Sequence, residues 1–517
     1  LCLIGNSSMM SAVSNNSLTF VILLVALGIL FWGFQRARPY GKLGILAWLQ
    51  SVVLMVPWLL FFGLFSLGIY LNLAGILFLL VGSTAIYIFL GRQLRVSGQD
   101  ELLRQKVAER LRFGSAQRPG EENPSTPLND EAFVAQTGDM PSVVSSEPIG
   151  IPAEDLNQIK EIFGIDTYFL TETLPYQEGA IFKGNLRGDP DRSYDKLSER
   201  LKERLGDRYR LFLVMGPDNK PIAIVLPQSQ DPKPLTLGQK ALAVSLGLAT
   251  LATSMEAGGI FQGFDWFSEW SKWPEALPIA LGLWVILLAH ELGHRWIAKK
   301  YQIRLSLPFF LPTWQVGSFG AITRFESILP NRSVLFDIAL AGPAAGGLLS
   351  LFLLILGLSL SHPGSLFQIP SQFFQGSVLV GTLARGILGD VLQNSLVDVH
   401  PLTLIGWLGL VLSAINLMPA GQLDGGRMVQ AIYGRKIAGI TTVATLIVLG
   451  FASFVTPLAL YWAIVILVLQ RDLERPSLNE ITEPNDARAA LALLALFLMI
   501  ATLMPLTPSL AGRLGIG

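Results

Sequence analysis

Charge, cysteine and histidine are all scarce in this 517-residue chain. Asp, Glu, Lys and Arg make up only 15% of it, against about 25% in ordinary soluble domains. Hydrophobic residues reach 51% and the mean hydropathy is +0.50. That balance marks a membrane protein. The 38 basic and 38 acidic residues cancel, so nothing in the bulk charge suggests nucleic acid, and no such partner is expected. Cys2 is the one cysteine, which excludes an intramolecular disulfide framework and a cysteine-ligated zinc site. The opening residues, LCLIGNSSMMSAVSNN, lack the Arg-rich amphipathic pattern of a transit peptide. The apolar run at 18–34 has no small-residue cleavage site after it and reads as a retained anchor.

Long apolar runs are what the chain has in quantity. A spanning helix needs about 20 mostly apolar residues. Runs at 18–34, 43–66, 68–90, 236–255, 276–298, 334–360, 401–418, 437–453, 455–470 and 488–506 predict about ten spans. Basic clusters follow alternate spans: Arg36/Arg38/Lys42, Arg92/Arg95/Lys106/Arg110/Arg112, Arg295/Lys299/Lys300/Arg304, Arg427/Arg435/Lys436 and Arg471/Arg475. If every run crosses, all five clusters fall on one side, which the positive-inside rule makes cytoplasmic, with the N-terminus outside.

One long hydrophilic insert interrupts the spans. Residues 98–112 (GQDELLRQKVAERLR begins at 98) read as a charged amphipathic helix, and 114–148, rich in Gly, Pro, Ser, Asn and acids, as a flexible linker. A small α/β domain is expected from about 151 to 228. DLNQIKEIFG has a helical pattern, and DKLSERLKERLG puts Leu197, Leu201 and Leu205 on one stripe. TYFLTE, GAIFKG, YRLFLVM and PIAIVLP read as strands, the last two joined by the GPDNK turn.

Of only four histidines, His290 and His294 are four residues apart in ILLAHELGHRWIAKK (286–300). On a helix, positions i and i+4 share a face, so both imidazoles reach one metal ion. Glu291 stands beside that ion, placed to take a proton from water. The plainer reading is three satisfied polar groups in a helix interface, but ionisable residues inside a span are costly. A catalytic zinc site needs a third protein ligand. With no usable cysteine, a carboxylate or another histidine must supply it. Asp424, in INLMPAGQLDGGRM (415–428), is expected at the same depth and side as His294. Pro419, Gly421, Gly425 and Gly426 predict broken helix around it, tolerable where backbone lines a wet cavity. His362 and His400 fall on the outer side and read as non-ligands.

HELGH together with NLMPAGQLDGG resembles the site-2 protease family of intramembrane zinc metalloproteases. Its second motif is matched at Asn416, Pro419, Leu423, Asp424 and Gly425. VGSFGAITRF (316–325) resembles that family's Gly-rich segment, a re-entrant or hairpin element, and ALAGPAAGG (339–347) its small-residue helix. GNLRG (184–188), with the other motifs, resembles the plastid and cyanobacterial branch; alone, it is equally well explained as a turn. The resemblance implies a polytopic α-helical membrane protein with a small α/β soluble domain inserted before the catalytic membrane core. The expected units are an anchor (1–91), a charged helix and linker (92–150), the α/β domain (151–234), the catalytic core (235–470) and a C-terminal loop with a last span (471–517).

It further implies Zn2+ held by His290, His294 and Asp424, Glu291 as general base, and Asn416 on the substrate backbone or oxyanion. The expected activity is hydrolysis of peptide bonds within or near the transmembrane segments of a protein substrate, surrounded by membrane lipid, with homo-oligomerisation left open. The expected setting is a thylakoid or plasma membrane of a cyanobacterium, with the active site towards the cytoplasm. Two rivals are a non-cleaving membrane chaperone or scaffold, which would have lost a ligand or the glutamate, and a metal transporter, which would need polar groups on both sides of the membrane.

Overall fold

The computed structural model describes residues 33–38, 41–66, parts of 79–93, and 151–516 apart from 177, 217, 315, 455–456 and 471. Nearly all of the expected 18–34 span, most of 68–90, the 98–112 helix, the 114–148 linker and Cys2 lie outside the described residues. The chain divides into two units, 1–143 with 447–465, and 144–446 with 466–517.

In the first unit, α1 (Gly41–Ser66) is a 26-residue apolar helix carrying Pro57. The second unit begins with a soluble α/β domain. Helices α2 (Ala153–Lys160) and α3 (Pro190–Leu205) cover one face of an antiparallel sheet. Its strands are β1 (Tyr168–Tyr176), β2 (Gly179–Leu186), β3 (Tyr209–Met215) and β4 (Pro221–Pro227), in the order β1-β2-β4-β3. The α3 stripe, Leu197, Leu201 and Leu205, is buried with Tyr168, Phe182, Leu213 and Val225. Asp189 caps α3 by accepting from Arg192 N at 3.1 Å. Residues 184–186 of GNLRG end strand β2 rather than forming a turn. Gly184 is needed there because any Cβ would strike the backbone of Phe169 and the ring of Tyr168.

Among the described residues, five helices are long and apolar enough to cross a membrane. They include α4 (Leu237–Phe261), α5 (Trp273–Lys300) and α6 (Arg332–Leu360). α4 starts with a capping box between Thr236 and Gln239. Many of their large apolar side chains face outward, among them Leu248, Leu281, Leu292, Leu348 and Phe352. In water such a belt would be a liability; in lipid it is the expected surface.

The other two long helices are α9 (Asp424–Ala452) and α11 (Asp486–Leu503). Before them, α7 (Val378–Leu388) and a two-stranded sheet fill 361–400, where the apolar runs predicted nothing. α8 (Pro401–Asn416) has 16 residues, shorter than the expected 401–418 run and too short for a full span, and is almost wholly buried. α9 absorbs the expected 437–453 span but begins much earlier and breaks at Gly434, at φ 80° and ψ 172°, a conformation essentially reserved for glycine. The end of α9 and α10 (Pro457–Val465) belong to the first unit, and α12 (Pro508–Arg513) to the second.

Close helix contacts rest on small residues, as in membrane packing generally. Gly293 of α5 meets the Ala341 backbone of α6, and Gly346 of α6 meets His290. Gly357 faces Thr403, and Gly406 and Gly409 of α8 face Leu354 and Ser350. At Gly293, Gly357 and Gly406 a Cβ would strike the facing backbone and hold the helices apart, while at Gly346 and Gly409 it would meet side chains. ALAGPAAGG therefore serves as a seat for the helix that carries HELGH.

Candidate metal centre

α5 presents His290 and His294 on one face, as their spacing requires. The His294 Nδ1 nitrogen is 2.7 Å from the carbonyl of Ile338 on α6. A donor bond there fixes the ring and turns Nε2 inward as a free lone pair. Asp424 arrives from the other side of the site. α8 stops at Asn416, seven residues turn, and α9 opens on Asp424 itself. This turn is the expected break, placed just before Asp424 rather than around it. Gly421 sits at φ 49° and its N–H donates to Thr442 Oγ1 at 2.8 Å. Gly425 and Gly426 lie inside the helix, where a Cβ would strike the carbonyls of Leu417 and Ala420.

The three side chains converge. His290 Nε2 is 3.1 Å from His294 Nε2 and 3.1 Å from Asp424 Oδ2, and His294 Nε2 is 3.4 Å from the same oxygen. A tetrahedral zinc with bonds of about 2.0–2.1 Å spaces its donors roughly 3.3 Å apart. Two neutral imidazoles and a carboxylate, all three nearly buried, fit that ion in both chemistry and spacing. Three protein ligands leave a position open, the catalytic rather than the structural pattern.

Glu291 is buried beside the cluster without joining it, and accepts a hydrogen bond from Thr323 Oγ1 at 3.0 Å. Thr323 follows strand β6 (Gly317–Ile322), which pairs with β5 (Phe309–Thr313). The Gly-rich segment is thus a β-hairpin, one of the two forms expected, and it rests on α4 and α5. Thr253 Oγ1 donates to the Gly317 carbonyl at 2.6 Å, and Trp284 lies against Phe310. Asn416 is buried at the end of α8, donating through Nδ2 to Leu412 O at 3.0 Å. Its amide faces Gly320, whose φ of +99° again requires glycine. Asn416, Ser413, Gly320, Ala321, His290 and Glu291 line one small cavity.

His362 and His400 stand apart from this cluster. His400 caps α8, its Nδ1 accepting from Leu402 N, and His362 Nδ1 lies 3.0 Å from Pro363 O. Sequence reading missed three further residues. Arg427, which the sequence reading used only as part of a basic cluster after a span, is buried. It donates to Glu474 and to the Thr323 carbonyl and stacks on Phe325 at 4.9 Å. A basic residue three positions after Asp424 was a visible signal. Thr323 and Glu474 gave none, because their partners are distant in sequence.

Residues 278–457 match the model of peptidase family M50, and 157–234 match that of the EGY3 middle domain. Arabidopsis thaliana "probable zinc metalloprotease EGY1, chloroplastic" is 38% identical over 408 residues, covering 72% of this chain and 74% of that protein. The chain belongs to peptidase family M50. Within this site-2 protease family it groups with the EGY proteins. The Arabidopsis protein "probable zinc metalloprotease EGY2, chloroplastic" is 38% identical over 363 residues, 69% of this chain and 65% of that relative. The Oryza sativa subsp. japonica protein named EGY1 is 34% identical over 471 residues, 82% and 80% respectively. No solved structure matches the chain. In this M50 peptidase the His290–His294–Asp424 group is one that could hold a metal ion, with Glu291 buried beside it.

Proposed function

We propose that this M50 peptidase is an intramembrane zinc endopeptidase that cuts other membrane proteins within or beside their transmembrane segments, the chemistry of regulated intramembrane proteolysis. The observation that carries this is the set of donor separations of 3.1–3.4 Å among His290, His294 and Asp424, with a buried carboxylate alongside. His290 and His294 offer Nε2 and Asp424 offers Oδ2. Zinc bound there supplies Lewis acidity towards water and the scissile carbonyl. Glu291 takes the proton of the attacking water on a carboxylate oxygen and returns it to the leaving amine nitrogen. The Thr323 hydroxyl bond holds that carboxylate in one orientation.

Asn416 Nδ2, in the same cavity, is placed to hold the substrate backbone or the developing oxyanion. A helix hides its own carbonyls, so the substrate span unwinds before attack. Strand β6 then offers the edge not paired with β5, and the extended substrate adds to it.

Orientation belongs to the same reading. Arg435 and Lys436 line a cavity with soluble-domain residues such as Phe212 and Ile224, and Lys299 and Lys300 end α5; these basic groups support a cytoplasmic placement of that end of the core. We place the chain in a thylakoid or plasma membrane of a cyanobacterium; the relatives named above are chloroplastic, which fits a photosynthetic lineage. Labelling of single cysteines at 299 or 436, in a Cys2→Ser background, tests the orientation, and labelling only from outside would reverse it.

The deciding experiment compares wild type with Glu291→Gln in detergent or liposomes, with zinc analysis of both. The expected outcome is equal zinc and a cleavage rate lower by about 10²–10⁴ in the variant, the usual worth of a positioned base. Equal zinc with no cleavage by either protein across a substrate panel would favour the chaperone or scaffold reading. Absence of zinc from both would remove the metal assignment.

A further inference from the structure

The segment between the tenth and eleventh helices, residues 472–485, is more than a connector. Leu478 and Glu480 pair with the edge of β3 in the soluble domain: Leu213 N donates to Leu478 O at 2.8 Å and Glu480 N to Leu213 O at 2.9 Å. Asp191, in the first turn of α3, accepts from Asn479 Nδ2 at 2.8 Å and from Thr482 Oγ1 at 2.6 Å. On its other side the strap enters the membrane core. Gln430 brackets Glu474, donating to its carbonyl and accepting from its N–H. The Glu474 carboxylate takes Arg427 Nε at 3.0 Å and Nη2 at 2.9 Å. Nη2 of Arg427 also holds the Thr323 carbonyl at 2.9 Å, and the Thr323 hydroxyl holds Glu291 at 3.0 Å.

Contact is therefore continuous from the soluble domain to the base. From Gln430 and Glu474 through Arg427 and Thr323 to Glu291 every hydrogen bond is buried, where such bonds are strongest and least forgiving, whereas the docking bonds on Asp191 are half-buried or exposed. The Arg427 guanidinium is planar and engages two partners at fixed angles, so it transmits position as well as charge.

We infer that Arg427, clamped by Glu474 of the 472–485 strap, is a positioning residue for Glu291, and that docking of the strap on Asp191 and β3 couples placement of the base to the soluble domain. This rests on Glu291 being the base, as proposed above. The soluble domain then acts on catalysis without touching substrate: a ligand or partner that shifts it displaces the strap, loosens Thr323 and lowers turnover rather than substrate binding.

The test uses the full chain in detergent and an internally quenched peptide bearing one span of about 20 residues of Leu and Ala with a central Asn-Pro pair. Arg427→Met, Glu474→Gln, Thr323→Val, Thr323→Ser, Asp191→Ala and the Asp191→Ala/Arg427→Met double variant are compared for kcat, KM, bound zinc and thermal unfolding. A base displaced by about 1 Å costs on the order of 100-fold. Arg427→Met is expected to lose roughly 10- to 100-fold in kcat with KM and zinc unchanged. Glu474→Gln and Thr323→Val should fall in the same direction, and Thr323→Ser should recover most of the rate. Asp191→Ala, far from the chemistry, should lower kcat, and the double variant should be no worse than Arg427→Met alone, since both cut one chain of contacts.

Unchanged kcat in Arg427→Met, or multiplicative losses in the double variant, overturns the inference. So does loss of zinc in Arg427→Met, because Arg427 Nη1 lies 4.0 Å from Asp424 Oδ1 and would then be supporting a ligand. If Glu291→Gln itself cleaves at the wild-type rate, the proposed mechanism fails first, and that result is distinguishable from all of these.

Discussion

Gly342→Ala sets two effects of opposite sign against each other. Gly342 lies mid-helix in α6, where alanine improves helix propensity by about 1 kcal/mol. Propensity alone predicts a more stable protein. The structure predicts a damaged metal site, because a Cβ at 342 would stand only 2.5 Å from Cδ2 and Cε1 of His294, and closer still to Nε2. Ordinary contact begins at 3.4 Å, so the ring must retreat by more than about 0.9 Å, since Nε2 is nearer still. Metal–ligand bonds tolerate about 0.2 Å. The ring has little room to retreat, because Nδ1 is tied to Ile338 O and Gly293 already touches the Ala341 backbone.

Misplacing even the group that orients a ligand costs about 10–100-fold in metal affinity; displacing a ligand itself should cost at least the upper end. Two neighbours calibrate the effect. Gly346→Ala would bring a Cβ to 3.1 Å from His290 Cβ, which a few tenths of an ångström of movement accommodates. Gly347→Ala would meet Ser413 at 3.7 Å, an ordinary contact. The assay is competition for zinc with a chromogenic chelator on the purified protein, with cleavage measured in parallel. Affinity should fall in the order Gly347→Ala, Gly346→Ala, Gly342→Ala, the first matching wild type. Wild-type affinity in Gly342→Ala would refute the reasoning, showing that α6 does not seat His294 as described.

Three further expectations accompany this one and the Glu291→Gln comparison. Asn416→Ala should retain zinc and lower kcat by roughly 10²–10³-fold, the cost of one oxyanion donor; an unchanged kcat would confine Asn416 to its bond with Leu412. Proline placed singly across 318–323 should block cleavage at positions whose N–H faces the free edge of β6, with zinc retained, and uniform activity along the scan would end the strand-addition reading. In the soluble domain, burial pushes Tyr168 up to about 12, and burial with the Asp155 carboxylate pushes Tyr209 up to about 12. Unfolded tyrosine ionises near 10. Both groups therefore contribute stability that is complete below about pH 10 and is lost as pH rises towards about 12. Tyrosinate absorbance should appear late and together with unfolding; removal of that lag by Tyr168→Phe plus Tyr209→Phe is the check, and persistence of the full lag would contradict it.

The sequence by itself determined the class of the protein, because solvent preference is a property of composition: a chain with 15% charged residues cannot cover itself for water. It also determined whatever local periodicity encodes. The Leu197–Leu201–Leu205 stripe is buried as spaced, and His290 and His294 share a face because i and i+4 always do on a helix. Asp424 was legible through its motif and its expected depth, although the turn that delivers it lies earlier than the glycines alone suggested.

Only the tertiary structure decided what fixes those groups. Thr323 reaches Glu291 across 32 residues, Arg427 reaches Thr323 across 104, and Asn479 reaches Asp191 across 288. No local pattern carries such pairs, since the energy of a hydrogen bond depends on where two atoms meet and not on their separation along the chain. The same holds for Gly342, an unremarked glycine in a small-residue run until the fold brings the imidazole of His294 against it.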